Sequence, residues 1–174
     1  MSALGLSSNV VLIGMPGVGK STAGILLAKV LRRDFVDTDV QIQVRERRLL
    51  QDVINTEGVD SFLAMEERHV LSMSCRNCVI ATGGSVVYSQ PAMDHLRTGG
   101  IAIHLWLALP ALEKRLVDIK SRGLVITPGQ TIAELYYERQ PLYRRYADVT
   151  VECDGLTHDQ VVGRVLEEVK RHAP

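Results

Sequence analysis

Short apolar runs alternate along the chain with longer stretches of helical periodicity. The first run, residues 9–13, reads N-V-V-L-I, which is typical of a parallel strand buried on both faces. Four further runs predict strands at residues 35–37, 79–81, 101–107 and 149–151. The segments between them predict helices at residues 18–31, 91–97, 110–117, 131–146 and 158–171, and shorter helices over about 39–74 that are interrupted near Gly58. This alternation predicts an α/β fold: a three-layer, doubly wound, five-stranded parallel sheet.

Length and charge narrow the class of protein. The 174 residues predict a single domain over residues 1–174, and 20 Lys and Arg balance 20 Asp and Glu. A neutral chain does not favour nucleic acid or an anionic membrane as a partner, and no apolar run approaches the roughly 20 residues of a membrane span. Three cysteines without a disulfide framework favour reduced thiols and therefore a cytoplasmic location. We also expect the protein to be a monomer.

A phosphate-binding motif follows the first predicted strand. Residues 14–21 read G-M-P-G-V-G-K-S and match G-x-x-x-x-G-K-[ST] in full, directly before a predicted helix. The glycines let backbone N–H groups surround an anion, and the helix start adds the positive end of its dipole. We expect Lys20 to contact the β- and γ-phosphates of a nucleoside triphosphate and the Ser21 hydroxyl to bind Mg²⁺. The residues predicted to bind nucleotide here are Gly17, Val18, Gly19, Lys20, Ser21 and Thr22.

Two carboxylates follow the second predicted strand. Asp37 and Asp39 are two residues apart, a spacing that points both side chains to the same side of an extended segment. Beside a phosphate loop, one suits Mg²⁺ binding and the other can orient or deprotonate an attacking hydroxyl. The alternative is a solvated turn with an aspartate that caps a helix. After the third strand, residues 82–85 read T-G-G-S, a second glycine turn that a ligand can approach closely.

The order of these motifs resembles the shikimate kinase family. The resemblance runs from Val11 to about Val169 and rests on G-x-x-G-x-G-K-S, F-x-D-T-D, G-G, R-G-L and the string E-R-x-P-L-Y-x-x-Y-A-D at residues 138–148. It implies a P-loop kinase fold like that of the nucleoside-monophosphate kinases, with a substrate-binding helical segment at about 39–74 and a short lid at about 118–130. It also implies that ATP, with Mg²⁺, phosphorylates one hydroxyl of shikimate in aromatic amino-acid biosynthesis.

The resemblance implies a role for individual residues. On the substrate side, Asp37 supports Mg²⁺, Asp39 binds the substrate hydroxyls and serves as base, and Arg139 pairs with the carboxylate. Gly83 and Gly84 lie against the substrate, with the Gly84 N–H as a contact.

On the nucleotide side, the resemblance implies that Arg115 stacks on adenine. Arg122 is implied to be the lid arginine that reaches over the phosphates. The implied catalytic residues are therefore Lys20, Asp39 and Arg122. We expect the other helix charges to be exposed: Glu66, Glu134, Glu138, Arg144 and Arg145.

Three positions depart from the family pattern. Family members usually read G-E-x-x-F-R-x-x-E where residues 58–66 read G-V-D-S-F-L-A-M-E, so Leu63 replaces a second carboxylate-binding arginine. Val59 replaces a glutamate, and Ser85 replaces a third glycine. Loss of one charge-assisted hydrogen bond costs about 1.5–3 kcal/mol, unless nearby Arg68 substitutes for the arginine.

These departures leave three functional hypotheses. The first is shikimate phosphorylation, and the second is a kinase of the same fold that acts on another small polyol or hydroxy acid. The third is a catalytically silent nucleotide-binding module, which the intact Lys20, Asp39 and Arg122 argue against.

Overall fold

The computed structural model describes residues 8–117 and 129–172, and a five-stranded sheet forms the centre of this part of the chain. The strands are β1 (Asn9–Ile13), β2 (Asp34–Asp37), β3 (Cys78–Ala81), β4 (Gly100–Trp106) and β5 (Val149–Glu152). They pair in parallel in the order β2-β3-β1-β4-β5, so the predicted doubly wound parallel sheet is confirmed. The carboxyl ends of all five strands therefore lie at one edge of the sheet.

Helices connect the strands. They are α1 (Lys20–Leu31), α2 (Thr38–Glu46), α3 (Leu50–Glu57), α4 (Val59–Leu71), α5 (Gln90–Thr98), α6 (Leu109–Val117), α7 (Ile132–Tyr146) and α8 (His158–Arg171). A short 3-10 helix, Val86–Tyr88, was not predicted. Helix α1 begins at Lys20 rather than at residue 18, because Gly17 and Gly19 adopt positive φ angles that no helix contains.

The main core surrounds the central strand. All five residues of β1 are buried, as the continuous apolar run predicts for a strand covered on both faces. Helix α1 packs against α8 and against β3, whereas α5 and α7 pack against β4. Within the described residues, no helix has both the length and the apolar character needed to cross a bilayer.

A second, smaller core lies within the helical segment that connects β2 to β3. Its buried side chains come from α2, α3 and α4: Ile42, Leu50, Val53, Phe62 and Met65. Gly58, with φ of 86°, ends α3 and begins α4, which confirms the predicted interruption. The segment is thus a packed unit that can hold side chains of α2 and α4 in fixed positions.

One charged residue lies where the sequence did not place it. Glu134, Glu138, Arg144 and Arg145 are exposed as predicted, but the prediction that Glu66 is exposed is wrong. Glu66 is 2% exposed, because it shares the inward face of α4 with buried neighbours at helical spacing: Phe62, Met65, His69 and Val70.

Two further predictions fall outside the described residues. Arg122 lies there, as does the predicted lid at about 118–130 apart from Gly129 and Gln130.

Candidate active site

The phosphate loop follows β1 at the carboxyl edge of the sheet. Gly14, Gly17 and Gly19 have φ angles of 143°, 82° and 104°, a region that favours glycine. A Cβ at Gly14 would lie 2.5 Å from the Leu105 carbonyl oxygen of β4, so a side chain is excluded there on steric grounds as well. The motif thus adopts the glycine-dependent turn ahead of a helix that a phosphate site requires.

Lys20 is the first residue of α1, and its side chain folds back over the loop. The ammonium Nζ donates to the carbonyl oxygens of Gly14 at 2.7 Å and Met15 at 3.0 Å. Burial lowers the pKa of Lys20 to about 8, and nearby Asp39 and Asp37 oppose that shift. Lys20 therefore remains mainly protonated at neutral pH, as a phosphate ligand must.

Asp37 caps a helix, which is one of the two interpretations that the sequence allowed. The prediction that Asp37 and Asp39 share one extended segment is wrong, because α2 begins at Thr38 and Asp39 is helical. Oδ1 of Asp37 accepts a hydrogen bond from the Val40 N–H at 3.2 Å and caps α2. Its Oδ2 accepts a hydrogen bond from the Ser21 hydroxyl at 2.6 Å. The helix cap thus fixes the carboxylate beside Ser21, and this adjacent pair of oxygens fits the ligand chemistry that Mg²⁺ prefers.

Other predicted nucleotide contacts lie around the start of α1. Arg115 of α6 donates from Nη1 to the Val18 carbonyl oxygen at 3.1 Å, which places its guanidinium beside the loop. Val18 is buried, whereas Thr22 is exposed. His158, the first residue of α8, has its Nε2 3.3 Å from where a Cβ at Gly19 would lie, a neighbour that no motif in the sequence indicated.

Two carboxyl groups meet over the glycine turn after β3. A Cβ at Gly83 would lie 2.2 Å from Glu66 Oε1 and 2.6 Å from Asp39 Oδ1, so only glycine leaves room for both side chains. The Gly83 N–H donates to the Thr38 hydroxyl oxygen at 2.9 Å, which ties the turn to α2. Residues distant in sequence thus converge here on one point.

Glu66 is held by a serine at the position where the family pattern has a third glycine. Ser85 donates its hydroxyl to Glu66 Oε2 at 2.7 Å, while the buried Oε1 has no hydrogen-bond partner among the residues that the structure describes. Burial raises the pKa of Glu66 to about 8, and the charge of Asp39 adds to the shift. Burial also raises the pKa of Asp39, to about 6, against the pull of Lys20. At neutral pH, Glu66 is therefore mainly protonated and Asp39 mainly ionised.

Arg139 completes this side of the site. It is 1% exposed, and its Nη1 lies 3.2 Å from where a Cβ at Gly84 would be. The same Cβ would lie 2.8 Å from Cδ of Pro16, a residue of the phosphate loop. The backbone of Gly84 therefore lies between the Arg139 guanidinium and the phosphate loop. Tyr143 donates its hydroxyl to the Gly84 carbonyl oxygen at 2.6 Å and also interacts with Arg139. We name the group Asp39, Glu66, Gly83, Gly84, Ser85 and Arg139 the acid pocket.

Comparisons with known proteins identify the family of this chain. The shikimate kinase family model matches residues 16–170. A shikimate kinase from Psychrobacter sp. (strain PRwf-1) is 35% identical over 166 residues, which cover 94% of this chain and 92% of the relative. The chain belongs to the shikimate kinase family. Among solved structures, a shikimate kinase from Acinetobacter baumannii in complex with shikimate has a TM-score of 0.87 at 28% identity, covering 94% of this chain and 93% of the other.

Leu63 is where this chain departs most from the shikimate kinase pattern. Its half-buried side chain packs against the second core, one helical turn before Glu66. Arg68 is exposed and lies five residues further along α4, about 140° around the helix from position 63. The helix therefore does not bring Arg68 to the face that Leu63 and Glu66 share.

Sequence reasoning missed several residues of the site. Glu66, Ser85 and Tyr88 reach it through tertiary contacts alone. His104 was missed too: it lies beneath the loop and stacks on Tyr143 with ring centroids 5.0 Å apart. A signal was available for Glu66, because its spacing from Phe62, Met65 and His69 matches the buried face of α4.

Proposed function

We propose that this protein transfers the γ-phosphoryl group of ATP to a hydroxyl of shikimate. The observation that carries the proposal is the position of the acid pocket: an ionised carboxylate and a buried guanidinium flank the Gly83–Gly84 turn directly beside the phosphate loop. Family membership supports the same activity. Shikimate offers the matching groups, a carboxylate and neighbouring hydroxyls.

The nucleotide binds through the phosphate loop in this proposal. Backbone N–H groups of residues 14–21 and the Lys20 ammonium hold the phosphates, and Arg115 contacts the base. Ser21 and Asp37 would hold Mg²⁺, which neutralises phosphate charge when bound.

The acid pocket holds the acceptor. Arg139 pairs with the carboxylate, a geometry for which a planar guanidinium is suited, and Asp39 accepts a hydrogen bond from the reacting hydroxyl. Because Gly83 already donates to Thr38, the Gly84 N–H is the backbone contact we assign to the substrate.

Phosphoryl transfer then depends on position and charge. The hydroxyl oxygen attacks the γ-phosphorus in line while its proton passes to Asp39. The bond from the γ-phosphorus to the β,γ-bridging oxygen breaks and ADP leaves, while Lys20 stabilises the negative charge on the transferred group. Arg122, from the predicted lid, adds a second positive charge in this proposal. All of these groups belong to one chain, so we propose a single-domain monomer, and its free thiols favour the cytoplasm.

A coupled assay of ADP release tests the proposal. We expect ADP release that depends on shikimate and yields one phosphorylated product per ADP, with the product identified by mass spectrometry. The Asp39→Asn variant, purified in the same way, is the control for contaminating ATPases. ADP release at the same rate with and without shikimate, or equal in wild type and Asp39→Asn, would contradict the proposal.

Leu63 favours a second candidate, a kinase of the same fold that acts on another hydroxy acid or polyol. A panel of such compounds in the same assay separates the two, because the better substrate has the higher kcat/KM. The Leu63→Arg variant adds the missing charge one turn before Glu66. If shikimate is the true substrate, wild type has its highest kcat/KM with shikimate and the variant gains little in that kcat/KM; a gain of a hundredfold or more in the kcat/KM for shikimate would favour the second candidate.

A further inference from the structure

Tyr88 contacts Arg139 in two ways. The Arg139 Nε–H donates to the Tyr88 hydroxyl oxygen at 3.0 Å, and the guanidinium carbon lies 5.0 Å from the centroid of the tyrosine ring. Tyr88 is the last residue of the 3-10 helix that follows the glycine turn, so the acid pocket and this tyrosine are connected through a few residues of backbone. No motif in the sequence assigned Tyr88 any role.

The hydroxyl of Tyr88 has a fixed direction. It donates its single proton to Glu138 Oε1 at 2.6 Å, which leaves its lone pairs to accept from Arg139. Gln130 donates to the other oxygen, Glu138 Oε2, at 2.6 Å and so holds the carboxylate in place. A hydroxyl that donates to an anion is a stronger acceptor, and each of these bonds reinforces the next. Burial and the bond to Glu138 raise the pKa of Tyr88, so the phenol stays neutral.

This arrangement determines which part of the guanidinium faces the substrate. Nε is engaged by Tyr88, while Nη1 lies against Gly84. The ring of Tyr88 supports the guanidinium through a cation–π contact, which restricts rotation about the last side-chain bonds. An arginine pairs with a carboxylate through two parallel N–H groups only when its plane is correctly oriented.

We propose that Tyr88 is a positioning residue for substrate binding: its hydroxyl, oriented by Glu138, holds the Arg139 guanidinium in the plane that binds the substrate carboxylate. The inference rests on the proposed function only in that the carboxylate is taken to be that of the acceptor. Tyr88 acts through Arg139 and need not touch the substrate.

The Tyr88→Phe variant removes the hydroxyl and keeps the ring over the guanidinium. We expect the KM for shikimate to rise about tenfold, while kcat and the KM for ATP stay within twofold of wild type. The matched control is Tyr137→Phe, which removes a hydroxyl from an exposed tyrosine on the same helix as Arg139 and should change none of these constants. A loss confined to kcat, or an equal effect of the control, would overturn the proposal.

Glu138 provides a graded test of the same geometry. Glu138→Gln keeps an oxygen that accepts from the Tyr88 hydroxyl, so the KM for shikimate should rise about threefold or less. Glu138→Ala removes that acceptor and should approach the effect of Tyr88→Phe. Equal KM values for shikimate in the two Glu138 variants would show that the orientation of the Tyr88 hydroxyl has no effect on substrate binding, which would contradict the role given to Glu138.

A readout without substrate separates this inference from the proposed function. In the free protein, the Arg139 Nε–H resonance should be protected from exchange with water, and Tyr88→Phe should increase its exchange rate at least tenfold. Unchanged exchange would overturn the positioning role even if shikimate is the substrate. Faster exchange in a protein that does not phosphorylate shikimate would support the positioning role and reject the proposed function.

Discussion

The phosphate loop and the acid pocket lie side by side, but they are built from different parts of the chain. The loop consists of eight consecutive residues, and we assign phosphate binding to their backbone and to Lys20. The acid pocket consists of side chains from α2, α4 and α7 around a turn after β3. An anion-binding site can therefore be local, whereas recognition of a particular small molecule here requires side chains that only the fold brings together.

The difference also appears in the electrostatics. The loop meets a ligand with backbone dipoles and one ammonium, which suits any nucleoside triphosphate. The acid pocket has a protonated glutamate beside an ionised aspartate, and this pairing depends on burial. Mutations in the two regions should consequently differ in which constant they change.

The largest effects should separate binding from chemistry. Asp39→Asn should lower kcat at least a thousandfold and leave nucleotide affinity near wild type, because Asp39 lies in the acid pocket. Lys20→Met should lower both kcat and nucleotide affinity, because we assign the ammonium to the phosphates in the bound nucleotide as well as in the transition state. Turnover by ADP release and calorimetric binding of a non-hydrolysable ATP analogue measure the two quantities. Equal losses of nucleotide affinity in the two variants would contradict the assignment of nucleotide binding to the loop and of the acceptor to the acid pocket.

Gly83→Ala should disrupt the acid pocket alone. Its Cβ would lie 2.2 Å from Glu66 Oε1 and 2.6 Å from Asp39 Oδ1, so one carboxyl group must move. We expect the kcat/KM for shikimate to fall about a hundredfold while nucleotide affinity is kept. Gly163→Ala in α8 is the control, because a Cβ there meets no atom within 4 Å and alanine favours a helix. Wild-type kcat/KM in Gly83→Ala would show that the turn is not part of the site.

The burial of Glu66 predicts how stability depends on pH. Its pKa is about 8 in the folded chain against an ordinary value of 4.5, so between these values the unfolded state loses a proton that the folded state keeps. The contribution of Glu66 to stability is therefore complete below about pH 4.5 and is lost as the pH rises to about 8. Glutamine cannot ionise, so the Tm of Glu66→Gln relative to wild type should rise by several degrees from pH 5 to pH 8.5.

Thermal unfolding at the two pH values checks this prediction. The control is Glu113→Gln, at an exposed position on α6, whose Tm should follow wild type at both pH values. A Tm difference for Glu66→Gln that does not change with pH would mean that Glu66 is ionised in the folded chain.

The smallest effect should come from Arg115, the side chain that we assign to the adenine base. Arg115→Ala should raise the KM for ATP about fivefold, as expected for loss of one partly exposed cation–π contact, and leave the KM for shikimate unchanged. Steady-state kinetics with each substrate varied in turn measures both. A larger rise in the KM for shikimate than in the KM for ATP would contradict the assignment of Arg115 to the nucleotide.

Much of the fold and half of the site could be predicted from the sequence. The apolar run of β1 and the glycines of the loop depend on local geometry, so the strand, the turn and the position of Lys20 at the start of α1 could be predicted from neighbouring residues. The prediction for Glu66 was wrong because a glutamate on a helix is usually solvated, and the second core that turns its side chain inward depends on packing between helices.

By itself, therefore, the sequence determined the parallel sheet and the turn of the phosphate loop, since apolar runs and glycine turns act over a few residues. The tertiary structure decided which side chains share the acid pocket: Glu66 over Gly83, Ser85 as its partner and Tyr88 against Arg139. These contacts join residues 17 to 51 positions apart, and no local preference encodes them. Their physical origin is the packing of α2, α4 and α7 around the carboxyl edge of the sheet, which buries the charges and sets their protonation.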